Sequence, residues 1–573
     1  MGHVLTVFYV EYNQPFFNKW QQLKVKIDVS KSLKNSSRRM LDAVADSIFR
    51  FVDVPFHPSQ SNFAPVEEIG EAVQVICIEG QIPADFPEGL YVRNGGNPLF
   101  GGWKAATSVF GETSQTWAEG EGMLHALYFQ KNDLGNWTIS YKNKFIETET
   151  FKLEKEGNRS IVIPTLTGDS LAVLTAMILN ILRFGTTSKY YQNVSVFEHA
   201  KKLYVNTENY KAQEIDITTL ETIDTWDFDG EWDRPFTSHP KKAPESGELI
   251  IMGIDVKKPY YVVGIISADG TKLLHKVDLK FKRSVLSHDI GVTQKYNVII
   301  DHPYIFSTRR VIEGGSFLTY DEKAGARIGV MPRYGDADSV KWFVVEPNCT
   351  MHIVNCFDDG NEVVVRGCRA NAGIISGPEW GKNKFEWYSK GYKINDYIDG
   401  SSENGYLIHR VYEWRLNMAT GHVKERYLTT ADFSMDFPVI NEAFTGLKQK
   451  YGYTQVIHSM ASSTSGIGKY SAIAKLYFDD YQSTELAKGE KLIETEYHKL
   501  PNNVYCTGIT FVPKENGVDE DDGWIVTYVH NEESNVSQAY VIDAKAFGSE
   551  PAAIINLPHR VPYGFHGTFV SKK

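Results

Sequence analysis

Sixteen histidines are spread along the 573 residues of the chain, and four of them stand in settings that restrict what the imidazole can do. His239 lies in Thr237-Ser-His-Pro-Lys, where Pro240 removes a backbone donor and holds the residue before it extended. His288 lies in Leu286-Ser-His-Asp-Ile-Gly and opens a strand expected to continue through Tyr296-Asn-Val-Ile-Ile-Asp. His352 lies in Asn348-Cys-Thr-Met-His-Ile-Val-Asn-Cys-Phe, and His566 in Tyr563-Gly-Phe-His-Gly-Thr-Phe. No two of these share the i, i+4 spacing of a helical zinc motif. An imidazole among apolar neighbours is either a core residue with a satisfied hydrogen bond or a metal ligand. Read singly, each of the four leaves both readings open. Histidines on separate strands can still meet when those strands surround a common axis.

The elements that must position these residues are strands. Asn348 to Phe357 and Glu362 to Arg369 are β-rich runs joined by Asp358-Asp-Gly-Asn, a hairpin signal. Alternation along the first run places His352, Val354 and Cys356 on one face. From about residue 73 the chain is made of short β runs broken by Gly, Pro, Asn and Asp. Between residues 194 and 228, strands are expected at Lys202-Leu-Tyr-Val-Asn-Thr, Glu214-Ile-Asp-Ile and Ile223-Asp-Thr-Trp. No convincing helical pattern occurs between Trp226 and Phe444. Several hundred residues of short strands at regular spacing point to a propeller or a large barrel. Upstream, Met40, Leu41, Val44, Ala45, Ile48, Phe49 and Val52 form one helical stripe expected to pack on the domain.

Composition narrows the class. With 42% hydrophobic and 23% charged residues the chain is an ordinary globular protein, long enough for one very large core. A formal net charge of −11 argues against nucleic acid as a partner, because phosphate binding needs a surplus of Lys and Arg. The five cysteines (Cys77, Cys349, Cys356, Cys368, Cys506) show no C-x-x-C spacing and fit reduced thiols. The longest apolar run, Leu171 to Phe184, is too short to cross a bilayer. It reads equally as a buried helix or as a patch dipping into one leaflet to take up a hydrophobic substrate. Residues 1–60 read as an N-terminal extension, with few acidic residues before Lys26 and a weak likeness to an organelle targeting segment. Residues 61–573 form the main domain.

A further set of stretches carries a resemblance. Tyr91-Val-Arg-Asn-Gly-Gly-Asn-Pro, Glu119-Gly-Glu-Gly-Met-Leu-His, Phe236-Thr-Ser-His-Pro-Lys, Ser287-His-Asp, Met351-His-Ile-Val-Asn, Asp436-Phe-Pro-Val-Ile-Asn, Glu520-Asp-Asp-Gly and Gly564-Phe-His-Gly occur in that order. Over roughly residues 60 to 573 the chain resembles the carotenoid cleavage oxygenase family, in particular its plant 9,10(9′,10′)-cleaving members. The resemblance implies an all-β, seven-bladed β-propeller with helices and loops capping the face that carries a substrate tunnel. It also implies ferrous iron (Fe2+) as cofactor, ligated by His239, His288, His352 and His566. The implied activity is that of a non-haem iron(II) dioxygenase cleaving a conjugated double bond of a carotenoid or apocarotenoid to two carbonyl products. A stilbene-type phenylpropanoid substrate and a weakly active propeller binding hydrophobic ligands are the alternatives.

Four neutral imidazoles leave the full double positive charge on such an ion, unlike a site with a carboxylate ligand. No acid–base dyad is required, which agrees with the lack of one in the sequence. In the family, three glutamates orient three of the histidines through their outward ring N–H groups. By the resemblance, Glu208 plays this part for His288, and Asp436, one methylene shorter than glutamate, for His352. Gly508 stands where the third glutamate would be. Glu119 and Glu121 replace aspartates usual in the family and are expected to shape a turn. The implied partners are a hydrophobic polyene, dioxygen and a membrane surface touched through Leu171 to Phe184, with no nucleic acid. The implied location is a plastid, with the cytoplasm as alternative.

Overall fold

The computed structural model describes residues 29–315, 317–370, 409–458, 461, 462, 465, 467–479 and 492–572. Residues 1–28, which carry most of the weak likeness to a targeting segment, lie outside them. Antiparallel sheets dominate. Four sheets of four strands follow one another between residues 195 and 427, and they begin with Ser195–His199, Lys241–Lys242, Ile290–Val292 and Cys349–Asp359. A five-stranded sheet has the C-terminal strand Gly567–Ser571 paired with Gly89–Gly96. A larger sheet runs from Met435–Val439 through Ala553–Asn556 to the early strand Cys77–Gly80. Strands from the two ends of the described chain are thus interleaved twice.

The inner strands of the sheets are buried on both faces, and neighbouring sheets pack against one another. Val196 and Val205 meet Leu90 and Val92; Ala212 meets Trp232 and Ile251; Val263 meets Ile290 and Ile299; Val298 and Ile328 meet Val363 and Trp414; and Val411 meets Met435 and Val456. Tyr91 and Leu127 pack on Val512 and Val526. Double-sided burial explains why these strands read as continuous Val/Ile runs and not as strict alternation.

Several expectations hold. The hairpin closes at the Asp-Asp-Gly-Asn turn, between Cys349–Asp359 and Glu362–Ala370. Strands lie at Lys202–Thr207 and Thr222–Thr225, while the one expected at Glu214-Ile-Asp-Ile lies earlier, at Tyr210–Ile215, because Asp216 accepts from Thr218 N and Thr219 N and starts the turn. Other expectations need correction. The stripe from Met40 to Val52 is not one helix: the helix Val29–Ile48 ends there and Arg50–Val54 pairs with Trp103–Ser108 as a strand. β-branched Val52 and Val54 favour the extended state once a partner strand is present. Only Ala45 and Phe49 of the stripe are deeply buried, against Ala172, Ala176 and Leu179. Asp42 accepts from Arg183 Nε at 2.8 Å, and Asp46 takes both Arg159 Nη atoms at 2.9 Å, so this helix docks on the main body.

The run after His288 is two strands, Ile290–Val292 and Tyr296–Asp301, because Thr293 Oγ1 accepts from the N–H groups of Lys295 and Tyr296 and forms a turn. A one-turn helix at Thr308–Ile312, capped by Ser307, lies in the region read as free of helix; five residues are too few to show a period. The apolar run does form a helix, Ser170–Phe184, closed by left-handed Gly185. One face is core, while Leu171, Ile178, Ile181 and Leu182 are 46–59% exposed. Among the described residues no helix is long and apolar enough to cross a membrane.

Phe86 joins the first and last parts of the chain: it is fully buried against Phe129, Trp524 and Phe569 at ring-centre distances of 5.0, 5.2 and 5.6 Å. Phe86→Ala is expected to cost about 3–5 kcal/mol, read as a lowered midpoint in chemical denaturation. A loss below ~1 kcal/mol would show that this junction does not hold the sheets together.

Candidate metal centre

His239, His288, His352 and His566 converge, with one nitrogen of each within 4.8 Å of all the others. Each is mounted at the first or edge strand of a different sheet. His239 and His288 lie just before Lys241–Lys242 and Ile290–Val292, and His239 bridges Asp289 in parallel. His352 is inside Cys349–Asp359, and His566 immediately precedes Gly567–Ser571. The strand holding His352 is not regular. Its pairing with Glu362–Ala370 shifts register between Thr350 and His352 and again between Ile353 and Asn355. These bulges break the expected alternation: Val354 packs with Met435 and Val456, whereas Cys356 joins Ile353 and Val298 on another face.

Two of the three expected outward contacts are present. The His288 Nδ1–H faces a carboxylate oxygen of Glu208, and His352 Nδ1–H donates to Asp436 Oδ1 at 2.7 Å. Each fixes the tautomer so that Nε2 presents its lone pair to the centre. Gly508 has a different neighbour. Its φ is +72°, and a Cβ there would lie 2.2 Å from Arg93 Cγ. The stem of fully buried Arg93 therefore fills the space, and its guanidinium donates to Pro562 O at 2.6 Å. Gly564, two residues before His566, is required by the same side chain, since its Cβ would collide with Arg93 Nη1. A glutamate at 508 would have to displace Arg93 from a left-handed backbone position. Glu119 caps its own turn, Oε2 accepting from Thr116 N, whereas Glu121 accepts from Leu99 N, 22 positions away, and from buried Lys189.

The structure adds two residues that sequence reasoning did not single out. Asp289, buried directly after His288, accepts from Lys241 Nζ at 3.1 Å and from Ile353 N at 2.8 Å. It thereby ties together the segments carrying His239, His288 and His352. The Ser-His-Asp stretch displayed it, but nothing local told which strands it would reach. Phe437 has a φ of +56°, unusual for an aromatic residue. The register of its strand breaks between Asp436 and Val439. That twist lets Asp436 face His352 while the Phe437 ring lies 4.9 Å from both His352 and His566. Strain of this sort persists only where surrounding contacts over-determine it.

The electrostatics suit a cation. Burial and the neighbouring imidazoles push His239 and His566 well below the usual histidine range, so both are neutral at pH 7. Burial lowers His288 too, but Glu208 more than offsets this and raises it. Burial pushes Asp436 up, yet His352 and His409 beside it hold it well below the carboxylate range. The Nε2 atoms of His239 and His288 are 3.0 Å apart. Two nitrogens about 2.1 Å from one ion, at a right angle, would be separated by about that much. His352 Nε2 is buried without a hydrogen-bond partner, a costly state that an ion at the centre relieves. The donor set and its geometry fit a divalent first-row metal.

A cleft meets the centre at Phe437 and is lined also by Trp103, Trp117, Tyr470, Tyr563 and Phe565 among others. Residues 63–571 match the family model described as retinal pigment epithelial membrane protein, the carotenoid cleavage oxygenase family. The chain belongs to this family. It is 29% identical over 569 residues to carotenoid 9,10(9′,10′)-cleavage dioxygenase 1 of Pisum sativum, covering 96% of each. It is 27% identical to a probable chloroplastic carotenoid cleavage dioxygenase 4 of Arabidopsis thaliana, covering 93% of this chain and 85% of that one. Its fold is that of lignostilbene dioxygenase from Pseudomonas brassicacearum, with TM-score 0.71, 20% identity and coverage of 90% and 100%. Cobalt-substituted apocarotenoid oxygenase from Synechocystis gives TM-score 0.69 at 18% identity, covering 90% and 99%.

One pH dependence follows from these contacts. Glu208 raises His288 above the usual histidine range, so an incoming ion competes with a proton there more strongly as the pH falls. Affinity for cobalt(II) is expected to rise with pH and then level off, with proton release on binding at the acidic end of the range. Glu208→Gln should shift this rise to lower pH. Calorimetry in buffers of different ionisation enthalpy reads the released proton, and a pH-independent affinity would contradict the assignment.

Proposed function

We propose that the chain is a non-haem iron(II) dioxygenase that cleaves a conjugated double bond of a carotenoid or apocarotenoid into two carbonyl products. The observation that carries this is the convergence of His239, His288, His352 and His566 on one point in a chain whose relatives are named as such dioxygenases. These histidines are the proposed ligands of Fe2+. Bound ferrous iron would supply the activation of dioxygen for the scission.

The protein's own share is placement and exclusion. Glu208 and Asp436 hold the rings of His288 and His352 with their inward nitrogens unprotonated. Phe437 forms a wall over two of the histidines. The aromatic cleft beside it is of the right character to align a planar polyene and keep water from the reacting bond. The sheets that pack one on the next, with histidines at first or edge strands, support a seven-bladed propeller over residues 61–573. Residues 1–60 are then an extension whose described helix docks on that body. The exposed face of the helix Ser170–Phe184 supports peripheral contact with a membrane holding the substrate. A plastid location rests on the chloroplastic names of several relatives.

Purified protein reconstituted with iron and given carotenoids, apocarotenoids and stilbenes in 18O2 should yield two carbonyl products, identified by mass. The 18O label should appear in both. His352→Ala should lower turnover by about 100-fold or more, as loss of a ligand exceeds the effect of losing its support. Cleavage without oxygen, or full activity in His352→Ala, would overturn the reading. Cleavage confined to stilbenes would move the substrate class.

A further inference from the structure

Asp436 is shared. Its Oδ1 accepts from His352 Nδ1 at 2.7 Å and from Phe437 N at 2.9 Å. Its Oδ2 points at a fifth histidine, His409, whose Nε2 is 3.6 Å away. Cys368, fully buried, directs its thiol at the same carboxylate. His352, Cys368 and His409 come from three adjacent strands of one sheet, with His352 paired with Cys368, Cys368 with Val411 and Ala370 with His409, while Asp436 belongs to the neighbouring sheet. His409 is also tied by its own backbone, since its N–H donates to Ser434 Oγ at 2.9 Å, two residues before Asp436.

The physical problem this arrangement solves is specific to a short carboxylate. Asp436 has one methylene fewer with which to reach His352, and the two nitrogen donors that fix it, from His352 and Phe437, fall on the same oxygen, leaving Oδ2 with His409 and the weak thiol donor of Cys368 nearby. A carboxylate held by one oxygen can still rotate about its last bond. A buried second oxygen facing no donor would also be costly. An imidazole N–H on the far side removes both difficulties. His409 is 3% exposed, so water does not compete for this role. The 3.6 Å separation is within ion-pair range and longer than a full hydrogen bond.

We infer that His409 is a positioning residue of the metal centre, which holds Oδ2 of Asp436 so that the shorter carboxylate keeps His352 aimed at the ion. This rests on the assignment of the four histidines as ligands. No sequence motif marked His409, which is fifty-seven positions from His352 and reaches it only through the sheet.

The test measures how fast the cobalt(II)-loaded protein loses its ion to a chelator, for the unaltered chain, His409→Leu and His409→Gln, each also with Asp436→Asn. His409→Leu should speed loss by about 10–100-fold, while His409→Gln, which keeps a donor, should restore most of the retention. In the Asp436→Asn background the Leu substitution should add little, and the ligand-field spectrum of the ion should be perturbed alike in both single variants. Unchanged loss in His409→Leu, or the same increment with and without Asp436→Asn, would overturn the inference. A crystal structure of the iron-loaded unaltered protein reads the same point without substitutions: Nε2 to Oδ2 below about 3.2 Å supports it and beyond about 4 Å overturns it. If the unaltered chain takes up no cobalt or iron at all, the ligand assignment itself fails, which is a different result from failure of His409 alone.

Discussion

The structure depends on holding four imidazoles with their inward nitrogens within 4.8 Å of one another. Packing alone does not favour such a cluster. The rings are buried, two of them are kept from protonating by that burial and by each other, and unpaired lone pairs facing a common point repel. The arrangement makes sense as a socket for a cation. The surrounding protein is organised to keep it open before the ion arrives. Asp289 binds three of the ligand segments to one another, Glu208 and Asp436 set two of the rings, and left-handed Phe437 closes one wall.

The four histidines sit on a firm base because each lies in or just before a strand of a different sheet, and those sheets pack on their neighbours. A change in the register of any one strand would carry its histidine to the other face. The core clusters between neighbouring sheets therefore act as registration devices as well as sources of stability. The two register shifts around His352 show the same control applied locally, where one residue is re-aimed without moving the strand.

Much of this was legible in the sequence, though for differing reasons. The hairpin at 349–370 and the helix at 170–184 were visible because turn chemistry and capping are local. The four histidines were individually ambiguous; the order of motifs around them singled them out. Glu208 and Asp436 came from the same resemblance, and their carboxylates face His288 and His352. What stayed hidden depends on residues distant in the chain. Bulges at His352 are set by the partner strand, and the end of the first helix at Ile48 is set by pairing with Trp103–Ser108. Gly508 read as a missing glutamate, but only the fold reveals that Arg93 fills its place. His409 and Asp289 act through the sheet, where sequence spacing carries no signal.

X-ray absorption of the iron-reconstituted protein tests the central claim most directly. One ferrous ion per chain, with about four imidazole nitrogens near 2.1 Å, is the predicted result, and His352→Ala should remove one of them. Iron bound with no imidazole scattering, or a spectrum untouched by His352→Ala, would contradict the account.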